Sequence, residues 1–90
     1  MTVAHRFVVS GRVQGVGFRW FAFERASVEG ITGWVRNRPD GDVEVVAEGE
    51  AEGVMRFERA IRQGPPRARV DDVETEILTP TGRFIAFTAH

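Results

Sequence analysis

The chain has 90 residues, a formal net charge of −1 at pH 7 and no cysteine. This length is close to the size at which one hydrophobic core is stable without disulfides or a structural metal, so we expect a single domain over residues 1–90. The lack of cysteine excludes disulfides, a thiol nucleophile and a thiolate metal site, and the near-neutral charge argues against a general nucleic-acid binder, which usually carries a basic surface.

The sequence contains no apolar run long enough for a membrane span, and residues Met1–Arg6 lack the charged-then-apolar pattern of a signal peptide. We therefore expect a cytoplasmic protein without a membrane partner.

The first third of the chain predicts a strand, a loop and a helix. Ala4–Ser10 is largely apolar and contains Phe7, Val8 and Val9, which favour a strand, and the loop after it contains Gly11, Gly15 and Gly17. An apolar stripe at helical spacing then predicts a helix that ends before Gly30. The stripe consists of Phe18, Phe21, Ala22 and Ala26.

The middle of the chain predicts a hairpin and a second helix. Two strands, Ile31–Asn37 and Asp42–Glu48, flank the turn residues Pro39-Asp40-Gly41, which favours antiparallel pairing. The second helix ends at Gly64-Pro65-Pro66. Its apolar face consists of Val54, Phe57 and Ile61.

Two further strands are predicted at the end of the chain, over Val70–Leu78 and Arg83–Thr88, and Pro80 between them favours an edge position for the first. The complete order is βαββαβ with one short extra C-terminal strand. This order predicts an α+β, ferredoxin-like (split βαβ) fold, in which two helices cover one face of an antiparallel sheet.

The glycine-rich loop before the first helix is a candidate anion site. Its glycines free the backbone to turn N–H groups inward, and the first turn of the helix adds unpaired donors and a positive dipole end. Arg19 lies in that turn, where its planar guanidinium can bind two oxygens of one phosphate. The loop has neither the Gly-Lys-Ser/Thr ending of a P-loop nor the glycine spacing of a dinucleotide-binding turn. From the residues alone, a tight connection beside a solvent-exposed Arg19 remains an open alternative.

Two stretches of the sequence resemble the signatures of a known family. Gly11–Arg19, which reads GRVQGVGFR, resembles the first signature of the acylphosphatases, and Gly33–Val43, with Gly49 beyond it, resembles the second. The resemblance continues through Gly64–Val70 and so covers nearly the whole chain. The sequence departs from the family pattern at Glu29, where an aliphatic residue is expected, and in Phe84–Phe87, which lacks a basic residue often found near the C-terminus.

The resemblance implies that the chain is a hydrolase that splits the carboxyl–phosphate bond of small acyl phosphates by direct attack of water, without a covalent intermediate. The catalytic residues would be Arg19 and Asn37, with Asn37 positioning the water. The phosphoryl oxygens would be bound by Arg19 and the backbone amides of the loop, which belong to Gly15, Val16, Gly17, Phe18 and Arg19 itself.

No cofactor and no metal are expected, the enzyme is expected to be a monomer, and phosphate or sulfate is expected to bind in the same place as the substrate. An asparagine cannot accept a proton at neutral pH, so Asn37 cannot be the general base. We therefore expect an oxygen of the substrate phosphate to accept the proton.

Other functions have weaker support. A ferredoxin-like RNA-binding module would need aromatic residues on a central strand, whereas Asp42–Glu48 is acidic and has none. A non-catalytic anion-binding domain would not need both Arg19 and Asn37. His5 and His90 lack the spacing of a metal or catalytic pair.

Three aromatic side chains, those of Trp20, Phe23 and Trp34, remain open to two interpretations. They either pack against the core or form an apolar wall near the acyl group. Packing is the ordinary role of such residues.

Overall fold

The computed structural model describes residues 1–90 and contains a five-stranded sheet and two helices. The elements are β1 (Thr2–Arg12), α1 (Phe18–Glu29), β2 (Thr32–Asn37), β3 (Val43–Glu50), α2 (Ala51–Gln63), β4 (Arg69–Leu78) and β5 (Phe87–Ala89). The strands lie side by side in the order β4-β1-β3-β2-β5. The pairs β4–β1, β1–β3 and β3–β2 are antiparallel, and the pair β2–β5 is parallel. The predicted α+β, ferredoxin-like fold is confirmed, although β5 makes the sheet mixed rather than wholly antiparallel.

The hydrophobic core lies between one face of the sheet and the two helices. Alternate residues of a strand point to the same face, and the core residues of β1 and β3 follow that alternation: Phe7 and Val9 in β1, and Val43, Val45 and Ala47 in β3. The predicted apolar faces of both helices pack against them, except that Phe21 is only partly buried. The fully buried side chains include Phe7, Val9, Val35 and Val45 from the strands, Ala22 and Ala26 from α1, and Val54, Phe57 and Ile61 from α2.

The C-terminus of α1 and the turn between β2 and β3 lie at the residues predicted from the sequence. Gly30 adopts a left-handed conformation at φ 67°, and its backbone amide donates to the carbonyls of Ala26 and Ser27, which ends α1. In the hairpin, the Asp40 carboxylate accepts a hydrogen bond of 3.0 Å from the Asp42 amide. This local contact stabilises the turn between the two strands.

The C-terminal strand was predicted over Arg83–Thr88, but the structure has it at Phe87–Ala89, so the predicted bounds are wrong. β4 and β5 lie at opposite edges of the sheet, four strand spacings or about 19 Å apart. The connection Thr79–Ala86 must cover that distance, and its eight residues reach about 26 Å when extended. Residues 83–85 therefore complete the crossing, and pairing with β2 begins at Ala86, whose carbonyl accepts a hydrogen bond of 3.0 Å from the Gly33 amide.

Glu48 holds this crossing segment in place. Its carboxylate accepts hydrogen bonds from the backbone amides of Thr81 (3.0 Å) and Gly82 (2.7 Å). Glu48 is only 5% exposed, and it alternates along β3 with the core residue Ala47, so it lies on the sheet face opposite the helices. The hydrogen bond from the Thr81 amide, together with that from Gly82, lowers the pKa of Glu48 despite the opposing effect of burial.

No helix of this chain is long and apolar enough to cross a membrane. β4 forms one of the two edges of the sheet, as the position of Pro80 predicted, and β5 forms the other. Exposed charged side chains line much of β4, which disfavours the addition of another strand. They belong to Arg69, Asp71, Asp72, Glu74 and Glu76.

Candidate active site

The loop between β1 and α1, residues 13–17, is shaped by two glycines and is called the glycine loop below. Gly15 and Gly17 have positive φ values of 74° and 80°, and Val16 between them does not, because no residue other than glycine has positive φ. Such alternation turns successive backbone N–H groups toward one side and forms a concavity that suits an anion. The side chain of Val16 packs in the core, which fixes the middle of the loop.

The glycine loop leads directly into the N-terminus of α1. The Phe21 amide donates to the Gly17 carbonyl at 3.0 Å, so the amides of the preceding residues have no partner within the helix. The first turn carries no acidic residue, and no side chain caps it. The unpaired amides and the positive end of the helix dipole are therefore left unneutralised by the protein, as is typical of an anion site.

Arg19 is exposed and is held in place by a single hydrogen bond within the protein. Its Nη1 donates to the main-chain carbonyl of His90 at 2.8 Å. The His90 amide in turn donates to the Val35 carbonyl at 2.8 Å, which extends the β5–β2 pairing by one residue. The main-chain carbonyl of His90 thus orients Arg19, and the rest of the guanidinium remains free for a ligand.

Asn37 is the last residue of β2, where it pairs with Val43 of β3. Its side chain is half-buried and makes no hydrogen bond within the protein. Asn37 lies two residues after Val35 on β2 and so points to the same face, the one covered by the helices, where Val35 is fully buried. The free amide of Asn37 is consequently directed to the side of the sheet on which α1 begins.

The structure brings Arg19, Asn37 and the two loop glycines together around one cavity of about 280 Å³. Arg19 is the only charged residue in its wall, so no carboxylate opposes the binding of an anion. The lining residues are Val13, Gly15, Gly17, Phe18, Arg19, Trp20, Asn37 and Ala89. Of the residues predicted to be catalytic or phosphate-binding, only Val16 does not line the cavity.

Gln14 joins the glycine loop to the segment that follows Asn37, a role that no sequence motif indicates. Its Nε2 donates to the carbonyls of Arg38 (2.8 Å) and Asp42 (2.9 Å). Both carbonyls belong to the hairpin turn that begins directly after Asn37. The side chain of Gln14 therefore sets the separation between the glycine loop and Asn37, although its position beside Gly15 was the only signal that could have indicated this.

The aromatic residues left open by the sequence differ in their surroundings. Trp20 lines the cavity, is 63% exposed and stacks on Phe23. Phe23 is partly buried against the core. Trp34 alternates with the buried Val35 and so lies on the opposite face of the sheet, where Arg36 lies over its ring at 6.0 Å.

The remaining polar candidates have structural partners. Glu29 forms an ion pair of 2.8 Å with Arg56, which joins α1 to α2 at the position where an aliphatic residue was expected. Nowhere in the chain are three or more His, Asp or Glu side chains arranged to hold a metal ion. The imidazole of His90 contacts the Thr88 hydroxyl at 2.9 Å.

Comparisons with known proteins agree with this geometry. The family model described as acylphosphatase matches residues 5–89. The acylphosphatase of Anaeromyxobacter dehalogenans is 52% identical over 85 residues, which are 94% of this chain and 91% of the relative. That of Methylococcus capsulatus is 51% identical over 80 residues, 89% of this chain and 87% of the relative. The crystal structure of acylphosphatase from Bacillus subtilis superposes with a TM-score of 0.94 at 36% identity, over 98% of both chains.

Proposed function

This chain belongs to the acylphosphatase family, and we propose that it hydrolyses the carboxyl–phosphate bond of small acyl phosphates by direct attack of water on phosphorus. The observation that carries this proposal is the cavity in which Arg19, Asn37 and the unpaired amides of the glycine loop meet without any carboxylate.

The phosphate group is held by the backbone amides of residues 15–19 and by the guanidinium of Arg19. Phosphoryl transfer requires little covalent chemistry from the protein, because most of the barrier is lowered by positioning and by stabilisation of charge on the phosphoryl oxygens. Amides fixed by the loop and an arginine fixed by the His90 carbonyl supply such donors before the substrate arrives. Inorganic phosphate and sulfate bind to the same donors as competitive inhibitors.

Asn37 holds the attacking water through its side-chain amide, which has no partner in the protein. The water oxygen bonds to phosphorus while the bond from phosphorus to the bridging oxygen breaks. The carboxylate leaves with the bonding electrons, and one water proton passes to a non-bridging oxygen of the phosphate. The products are the carboxylate and dihydrogen phosphate, so atoms and charge balance.

The proton acceptor is the substrate itself, because no histidine or carboxylate lines the cavity. The histidine nearest to the site is His90, which follows the lining residue Ala89 and whose main chain contacts Arg19. We expect the variant His90→Asn to keep the pH dependence of kcat of the parent enzyme. A basic or acidic limb that disappeared in this variant would identify His90 as the base and contradict the proposal.

The course of the reaction is tested by hydrolysis of acetyl phosphate in water enriched in ¹⁸O. Attack on phosphorus places the label in the phosphate product, and attack on the carbonyl carbon places it in acetate. In parallel, the enzyme is mixed with acetyl [³²P]phosphate and quenched in acid. Label in phosphate with no radioactive protein is the expected result, whereas label in acetate or a trapped phosphoprotein would overturn direct attack on phosphorus.

We also propose that the enzyme acts as a monomer in the cytoplasm. The charged β4 edge disfavours strand addition, and a chain without cysteine is compatible with a reducing compartment. Sedimentation equilibrium is expected to give a mass close to 10.1 kDa, and a mass that rises with concentration toward twice that value would contradict the monomer.

A further inference from the structure

Trp20 is a large aromatic residue on the surface of the cavity without a structural role that explains its exposure. It is not a member of the hydrophobic core, and 63% of it is exposed. Burial of an exposed tryptophan in the core would stabilise the fold, whereas here the ring is left in contact with solvent at the site itself. A ligand that covered it would gain apolar contact.

The orientation of this ring is fixed. Its centroid lies 5.5 Å from that of Phe23, with an angle of 24° between the two planes, which is a stacked arrangement. Phe23 packs against the core and so anchors the pair from below. A ring held in this way loses little conformational freedom when a ligand binds.

The position of Trp20 relative to the phosphate donors determines which part of the substrate it can reach. Trp20 follows Arg19 in the first turn of α1, and both line the same cavity. The glycine loop and Arg19 hold the phosphate. The acyl group is joined to the phosphate through one oxygen, so the acyl group must lie within a few bond lengths of the bound phosphate. The other apolar side chains of the wall are small or deeply buried: Val13 and Phe18 are 1% and 2% exposed.

We propose that the stacked pair Trp20–Phe23 forms a subsite for the acyl group and gives the enzyme a preference for aromatic acyl phosphates over short aliphatic ones. The inference rests on the proposed function, since it concerns the acyl group, which is the part of the substrate that the phosphate donors do not bind. An aromatic ring stacked on the indole gains about a 2- to 10-fold increase in affinity, which corresponds to typical aromatic pair energies. An acetyl group has no ring to stack on the indole, so acetyl phosphate does not gain this affinity.

The contact is present both in the bound substrate and in the transition state, so it acts on KM rather than on kcat. For benzoyl phosphate, the variant Trp20→Ala is expected to raise KM by about 2- to 10-fold at unchanged kcat. The ratio of kcat/KM for benzoyl phosphate to that for acetyl phosphate is therefore expected to fall by about 2- to 10-fold. Trp20→Phe, which keeps an aromatic ring, is expected to restore most of the preference.

A matched control is Val28→Ala, which removes an exposed apolar side chain from the far end of the same helix. This variant is expected to leave the ratio of kcat/KM for the two substrates unchanged. A second measurement avoids turnover altogether: the inhibition constants of phenacylphosphonate and acetonylphosphonate, in which a methylene group replaces the bridging oxygen. Only the aromatic inhibitor is expected to bind Trp20→Ala more weakly than the parent enzyme.

The outcomes separate the inference from the function on which it rests. If Trp20→Ala hydrolyses acetyl phosphate normally but keeps the parent preference for benzoyl phosphate, the subsite is wrong and the phosphatase activity stands. If the parent enzyme hydrolyses neither substrate, the proposed function fails first. Equal losses on both substrates would show that Trp20 supports the loop rather than the acyl group, and would also overturn the inference.

Discussion

Replacing Gln14 by alanine removes the two hydrogen bonds that join the glycine loop to the hairpin carrying Asn37. Each bond contributes about 0.5–1.5 kcal/mol to stability. Both acceptors keep another partner, because the Arg38 carbonyl also accepts from the Gly41 amide and the Asp42 carbonyl from the Arg38 amide. No buried carbonyl is left unpaired, so the total loss is expected to be about 1–3 kcal/mol. For a domain of this size, each 1 kcal/mol lowers Tm by roughly 4–8 °C.

The same substitution is expected to slow the reaction below the melting temperature. A displacement of about 1 Å between reacting groups can cost roughly a hundredfold in rate, and Gln14 sets the separation of the loop from Asn37. We expect kcat on acetyl phosphate to fall by about 10- to 100-fold. Gln14→Glu is expected to be at least as severe, because a carboxylate cannot donate to the two carbonyls.

Thermal unfolding by circular dichroism and steady-state phosphate release measure the two effects. The control is Gln63→Ala, since Gln63 is exposed at the end of α2 and forms no side-chain hydrogen bond. This control is expected to change stability by no more than about 0.5 kcal/mol. A Gln14→Ala enzyme with the Tm and kcat of the parent would refute the assignment of Gln14 as a positioning residue.

Two further predictions concern Glu48 and Gly17. Because the pKa of Glu48 is lowered in the folded protein, its contribution to stability is present above the ordinary value of 4.5 and is lost as the pH falls below it through the lowered pKa. Between pH 7 and pH 3, the Tm of Glu48→Gln should therefore fall less than that of the parent, and parallel curves would contradict this. Gly17→Ala places a side chain at φ 80° with no atom within 4 Å, so backbone strain alone should lower the free energy of unfolding by about 1–2 kcal/mol, measured in urea. An unchanged urea midpoint would show that the loop relaxes at no cost.

The elements predicted correctly from the sequence are those set by local chemistry. Gly30 ends α1 because it can adopt positive φ, and Pro39-Asp40-Gly41 forms the turn between β2 and β3 because each residue has a turn preference. The apolar spacing of Phe57 and Ile61 indicates the buried face of α2. None of these signals depends on residues far away along the chain.

The features missed from the sequence depend on distant partners. Residues 83–85 have the composition of a strand but lie in the connection that crosses the sheet, because β4 and β5 lie at opposite edges. The partners of Gln14 are main-chain carbonyls 24 and 28 positions away, which no side-chain pattern marks. Likewise, no sequence pattern indicates that the carbonyl of His90 accepts a hydrogen bond from Arg19. The exposure of Trp20 could not be inferred either, because tryptophan at the start of a helix is compatible with either packing or binding.

The central claim, that Arg19 and the glycine loop hold the phosphate while Asn37 places the water, is tested most directly by phosphate release from acetyl phosphate. The enzymes compared are the parent, Arg19→Lys, Asn37→Ala and a control, Arg67→Lys, in which an exposed arginine outside the cavity is changed in the same way. We expect Arg19→Lys to lose about 10²- to 10³-fold in kcat/KM with a raised KM, because an ammonium cannot reproduce the planar donors. We expect Asn37→Ala to lose mainly kcat and Arg67→Lys to match the parent. Equal rates for all four enzymes would contradict the account.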